Sequence, residues 1–171
     1  MCTTTPRMRS RRPGGYTLIE VLLTVAILGL IGAAVVPSML NAGSLGVQAA
    51  ARVIVSDLLY AQNEAIAQQL TRGVVFDVAS DSYRLTDEFD NTLTAPWING
   101  QANNYRIDFT TDRRFKDVTI TAVDFNGGNV IEYDSLGTPS TGGSVTIQFD
   151  RRSFRIDVAS FTGRVTVTQE S

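Results

Sequence analysis

The sequence predicts an α+β fold: one long N-terminal helix followed by an antiparallel β-rich head. Three observations carry this reading. Residues 18–40 form an unbroken apolar run, the stretch 47–65 repeats apolar residues at alternating steps of four and three, and beyond Thr71 the pattern changes to a period of two. Helix first and strands afterwards is the order of an α+β chain in which the helix covers a sheet face. The chain of 171 residues is 43% hydrophobic, which suits one folded head with a modest core plus one extra element.

The apolar run reads LIEVLLTVAILGLIGAAVVPSML, and Glu20 is its only charged member. It matches the roughly 20 helical residues that cross a bilayer and exceeds the roughly 7–15 of a secretory signal's apolar region. Arg7, Arg9, Arg11 and Arg12 precede it, whereas residues 41–70 contain only Arg52. By the positive-inside rule the N-terminus is cytoplasmic and the head lies on the other side. An ionised carboxylate in hydrocarbon costs on the order of 2.5–3.5 kcal/mol even on lenient scales, so Glu20 needs a partner. The run supplies none. Cleavage between Gly15 and Tyr16 would create one, a free α-amino group about one helical turn away. Within a chain this pairs a first-turn acid with the helix N-terminus, and between chains it registers one helix against the next.

The segment GGYTLIEVLLTVAILGLIGAAVVP resembles the prepilin leader and N-terminal helix shared by type IV pilins and type II secretion pseudopilins. The resemblance implies a prepilin peptidase that cuts after Gly15 and N-methylates Tyr16, which stands where the family usually has phenylalanine. It places Glu20 on the family's assembly glutamate and Pro37 on the proline that kinks its helix. It also implies partners: other pilins or pseudopilins in a helical filament, and an inner-membrane assembly platform. The chain then divides into a leader (1–15), a transmembrane and assembly helix (16–40), an amphipathic helix (41–71) and a periplasmic β-rich head (72–171). Losing the leader removes four of 15 basic side chains, which leaves 11 against 17 acidic ones. A mature chain near −6 repels polyanions on average.

In the amphipathic stretch Val47, Ala51, Ile54, Leu58, Ala61 and Ala65 form the core-facing stripe. Gln48, Arg52, Ser56, Asp57, Gln62, Asn63 and Glu64 fall mostly off it, toward solvent or neighbours. If helical throughout residues 16–70, the segment extends about 80 Å at about 1.5 Å per residue. Gly43 and Gly46, with Pro37, mark it for local melting during assembly. Strand patterns follow at 73–79, 82–86, 104–109, 117–125, 129–134, 144–150, 153–159 and 164–168, separated by Gly-, Pro-, Asn- and Asp-rich turns.

The C-terminal GNVIEYDSLGTPSTGGSVTIQFDRRSFRIDVASFTGRVTV is similar to the head of the minor pseudopilin called H, a family that includes the minor pilin FimT. The likeness implies a pilin-like head of two small sheets, with Gly163 and Arg164 at the last hairpin turn. Some DNA-uptake relatives carry a second arginine two positions on, where this chain has Thr166. Arg151, Arg152, Arg155 and Arg164, with the cluster Arg113, Arg114 and Lys116, are the candidate phosphate contacts. Asp108, Asp112, Asp117, Asp150 and Asp157 surround them, so cross-strand charge pairing is the more economical account, and nucleic acid is not the expected partner. Asp87–Asn91 gathers carboxylates that suit Ca²⁺ but lacks an EF-hand pattern. Trp97, between Pro96 and Ile98, reads as a cap on the core.

The chain has no histidine, and its one cysteine, Cys2, lies in the leader. These two facts remove Ser-His-Asp and Cys-His nucleophiles, His-ligated zinc and any disulfide within the chain. No phosphate loop or nucleophile elbow is present. The sequence therefore predicts a protein that acts by assembling, without a cofactor and without catalysis.

Overall fold

A computed structural model describes residues 15–40, 42–95, 103–115 and 117–170, with the side chains of all but 33–40, 42–44 and 103. Leader residues 1–14, Lys116 and the segment around Trp97 lie outside the described residues, as does residue 41, on which continuity of the long helix depends. Two compact units result, residues 1–40 and 41–171.

The first unit is helix α1, Leu18–Leu40. Its start is set by Thr17, whose hydroxyl accepts the Glu20 N–H at 3.3 Å while its carbonyl accepts the N–H groups of Glu20 and Val21 at 3.1 and 3.2 Å. Thr17 and Glu20 have the spacing of a capping box, with Thr17 as N-cap and Glu20 at the third helical position. Thr24 returns its hydroxyl to the Val21 carbonyl at 2.9 Å. The helix continues through Pro37.

The second unit is helix α2, Ala42–Gln68, packed on two four-stranded antiparallel sheets. β1 (Arg72–Asp77), β2 (Ser82–Thr86), β5 (Arg106–Asp108) and β7 (Val130–Tyr133) form one sheet in the order β5-β2-β1-β7. β6 (Thr119–Asp124), β8 (Gly143–Phe149), β9 (Arg152–Val158) and β10 (Val165–Glu170) form the other in the order β10-β9-β8-β6. A small pair, β3 (Thr94–Ala95) with β4 (Asn103–Asn104), falls between the strand patterns 82–86 and 104–109 and takes in the first residue of the latter. A 3₁₀ turn, η1, covers Arg113–Phe115. The β6–β8 register shifts between Ile120 and Ala122, as a bulge does.

The expected stripe of α2 is the core face: Val47, Ala51, Ile54, Leu58, Ala61 and Ala65 are buried, and Ala50 joins them. Small alanines at these positions let the helix lie close to the sheets. From the strands, Val74, Phe76, Tyr83 and Leu85 meet it from the first sheet, and Val145, Ile147, Ile156 and Val158 from the second. An aromatic chain links Phe76 to Tyr83, Tyr83 to Phe109 and Phe109 to Phe115, with centroids 5.3–5.9 Å apart.

Helix α2 stops at Gln68, three residues before the sequence pattern ends it. Gln69 takes a left-handed φ of 56°, and the Leu70 N–H reaches back to the Ala65 carbonyl at 3.2 Å. This is a Schellman stop made with glutamine where glycine is usual. The Gln69 amide also donates to Ile66 O at 2.8 Å and to Ser135 O at 3.2 Å.

One side chain of α2 holds two distant turns. Gln62 Nε2 donates to Gly137 O at 2.7 Å and to Thr162 O at 3.2 Å, and so fastens the β7–β8 connection and the β9–β10 hairpin to the same helical turn. Gly163 has φ +65°, and a Cβ there meets Gln62 Nε2 at 2.6 Å and Tyr133 Cε1 at 3.2 Å. Gly137 has φ +80°, and its Cβ meets Ile66 Cδ1 at 2.6 Å. These two glycines therefore answer both to a backbone conformation and to contact with α2. Gly127 has φ +81° with nothing within 4 Å, so it answers to the conformation alone. Gly163→Ala should thus lower stability by about 1–3 kcal/mol, and by clearly more than Gly127→Ala, in urea denaturation followed by circular dichroism. Equal losses would show that the Gln62 contact carries no weight.

Candidate processing and assembly site

Gly15 and Tyr16 lie immediately ahead of Thr17, and Glu20 occupies the first turn of α1. The Tyr16 amide and the Glu20 carboxylate are thus about one helical turn apart at the end where unpaired N–H groups favour negative charge. Every large apolar side chain between Leu18 and Ile31 is exposed, from 46% at Ile27 to 78% at Leu18. These residues occur on all faces of the helix, so no single stripe accounts for them. The side chains described in α1 end at Gly32, and among the described residues no helix is long and apolar enough to cross a membrane.

The four candidate arginines of the head do not converge. Arg151 and Arg152 sit at the β8–β9 turn, Arg155 in the middle of β9, and Arg164 at the far end beside β10. Arg155 and Arg164 line one shallow groove with Asp124 and Asp157, and Arg155 Nε pairs with Asp157 at 2.8 Å. Arg114 pairs with Asp112 at 2.6 Å within its own turn. The expected cross-strand pairing is corrected by this geometry. Opposite Arg155 stand Thr146 and Thr168, so its carboxylate partner comes from two residues along the same strand.

The Asp87–Asn91 loop spends its carboxylates locally. Asp87 Oδ1 accepts the N–H groups of Phe89 and Asn91 at 2.9 and 2.8 Å, and Asp90 pairs with Arg84 at 2.9 Å. The Asn91 side-chain amide, followed by these backbone N–H groups, holds the Asp87 carboxyl below its ordinary value. Among the described residues no group of three or more metal-ligating side chains comes together.

Asp57 departs from the reading that puts it toward solvent. It is 6% exposed, and its two oxygens accept the hydroxyls of Tyr83 at 2.5 Å and Tyr105 at 2.7 Å. A single α2 carboxylate therefore ties the helix to β2 and to the residue preceding β5. Tyr105 in turn stacks on Tyr60 of α2, with centroids 5.6 Å apart. Burial raises the Asp57 carboxyl above its ordinary 3.8, against the lowering effects of the two phenols and of Arg114. The sequence gives no local signal for this residue, because its partners lie 26 and 48 positions away. The same holds for Gln62, whose acceptors lie 75 and 100 positions away.

A long apolar helix with one first-turn acid, followed by a helix laid on a two-sheet head, defines the pilin-like class of fold. Residues 50–163, the greater part of the chain, match the family model described as Type II transport protein GspH, and residues 10–36 match the prokaryotic N-terminal methylation motif. The chain belongs to the GspH family. No curated protein matches it by sequence. Among solved structures it is similar to the minor pseudopilin EpsH from the type 2 secretion system of Vibrio cholerae, at 17% identity and TM-score 0.50 over 71% of this chain and 95% of that one. It is also similar to the type IV minor pilin FimU of Pseudomonas aeruginosa, at 14% identity and TM-score 0.52 over 71% of this chain and 87% of that one. At these identities the likeness establishes the shared fold.

The Asp57 geometry fixes the sign of one pH effect. Because the folded pKa lies above the unfolded one, Asp57's contribution to stability is fully present below about 3.8 and is lost as pH rises through the folded value. Asp77, Asp87, Asp108 and Asp112 are held low by local hydrogen bonds, so their contributions are lost in the opposite direction, as pH falls below 3.8. Asp57→Asn should therefore flatten the decline in urea midpoint from about pH 4 toward neutrality and leave the acid-side decline in place. An unchanged profile above about pH 4 would contradict the assignment.

Proposed function

We propose that the chain is a minor pseudopilin, a structural subunit of a type II secretion pseudopilus. The observation that carries this is α1 itself, a helix apolar on every described face with a single carboxylate in its first turn, borne by a separately folded head of the GspH family. Such a helix is stable only where lipid or other helices cover it.

In this reading the precursor sits in the inner membrane through residues 16–40, with its N-terminus cytoplasmic and its head outside. Prepilin peptidase removes residues 1–15 and methylates Tyr16. The new amine neutralises Glu20, either in its own chain or in the next subunit, and Pro37 bends the helix as subunits stack. The assembly platform then draws the subunit out of lipid, and the apolar side chains exchange acyl chains for neighbouring helices. Hydrophobic area changes little in that exchange, so register must come from the charge pair.

Glu20→Ala tests this step. An unpaired amine left out of water costs roughly 3–5 kcal/mol. Membrane insertion and head folding should be unchanged, while subunit in the sheared filament fraction falls at least about tenfold. Wild-type incorporation of the variant would remove Glu20 from assembly.

A further inference from the structure

Nine large apolar side chains of the second unit, residues 41–171, are exposed among the described residues, and four of them lie around one point, Gln62. Leu59 and Ile66 stand one turn to either side of it on the outward face of α2, at 42% and 43% exposure. Leu136 precedes Gly137 and Phe161 precedes Thr162, the two residues whose carbonyls Gln62 holds, and they are 77% and 84% exposed. Apolar groups gathered in this way on a soluble face mark a contact surface.

Phe161 adds a second observation. Its φ is +72°. The other non-glycine residues with positive φ among the described residues are Gln, Asp and Asn, which tolerate this region far better than a bulky aromatic. The fold thus keeps a strained aromatic at a hairpin tip, out in water, in a loop fastened to α2. The Thr162 N–H donates to Ser160 O at 2.9 Å and closes a γ-turn on Phe161, which accounts for the φ but not for an exposed aromatic at that place. Strain held in this manner points to an external contact.

Charge selects the occupant. Residues 135–141 and 159–163 contain no charged side chain, and residues 59–70 contribute only Glu64. This nearly neutral patch lies on a mature chain near −6, with 11 basic and 17 acidic side chains. Two copies meeting there bring like-charged heads together. The outward residues Leu59 and Ile66, seven apart, match the spacing with which one helix receives another.

We propose that Leu59, Ile66, Leu136 and Phe161 form a docking surface for an uncharged apolar helix face of a different pilin-class subunit, with Gln62 positioning the two loop tips. The proposal rests on the filament reading given above. Filament contact offsets the cost of displaying Phe161.

A photo-crosslinking residue at 161, in the full-length chain expressed with its secretion assembly, tests the occupant. The expected product is a heterodimer whose second chain carries a processed prepilin N-terminus by mass spectrometry, at roughly ten times the yield of the same probe at Phe89, which is exposed on another loop. Cross-linking only to a second copy, only to proteins outside the pilin class, or equally from both positions would overturn the proposal. Phe161→Gly separates docking from folding. Relief of the positive φ should raise the melting temperature, while filament incorporation falls roughly tenfold or more. Unchanged incorporation of this variant beside normal incorporation of the parent would overturn the docking surface alone. Failure of the parent to be incorporated would instead overturn the filament reading on which it rests.

Discussion

The molecule is organised around a helix that water cannot solvate and that carries one charge lipid cannot solvate. Every large apolar side chain between Leu18 and Ile31 is exposed, and the proposed function gives this segment its cover in lipid or among other helices. In the proposed assembly Glu20 turns a nonspecific requirement into a specific one, because a carboxylate out of water calls for a cation beside it. Thr17 fixes where that charge sits. By accepting the Glu20 N–H it starts the helix at Leu18 and holds the acid in the first turn, next to the residue whose amine cleavage would free.

The head solves a different problem: it is a compact unit separate from the apolar helix, and it must hold together by its own contacts. It does so by laying the alanine-rich face of α2 over two sheets and by fastening the remainder with a few long-range polar contacts. Asp57 ties α2 to the first sheet through two tyrosine hydroxyls, and Gln62 ties it to the β7–β8 connection and the β9–β10 hairpin. Gly137 and Gly163 are the complement of that second tie, since a side chain at either strikes α2. The closing glycine in the C-terminal motif thereby gains a physical reason within this chain.

Much of this was legible in the sequence because it is periodic. The apolar run fixes α1, the four-and-three stripe picks six core residues of α2 that are all buried, and the period-two segments fall on the main strands. What stayed hidden depends on partners far along the chain. Asp57 and Gln62 look like solvent-facing polar residues from their neighbours, yet they face hydroxyls and carbonyls between 26 and 100 positions away. The helix end at Gln68 escapes detection because glutamine fills a place that glycine usually signals. Arg155 was readable as a charge in need of a carboxylate, but not that the carboxylate sits two residues along the same strand. At the N-terminus of α1 the capping role of Thr17 was not legible, because an apolar run draws attention to its own members and away from the residue before it.

Assembly through Glu20 requires that the amine proposed to neutralise it is made. Intact-mass measurement of the chain, produced in the presence of active prepilin peptidase and extracted from membranes, addresses this directly. A species that has lost residues 1–15 and gained one methyl group at Tyr16 is the predicted result; a chain that still begins at Met1 would contradict it.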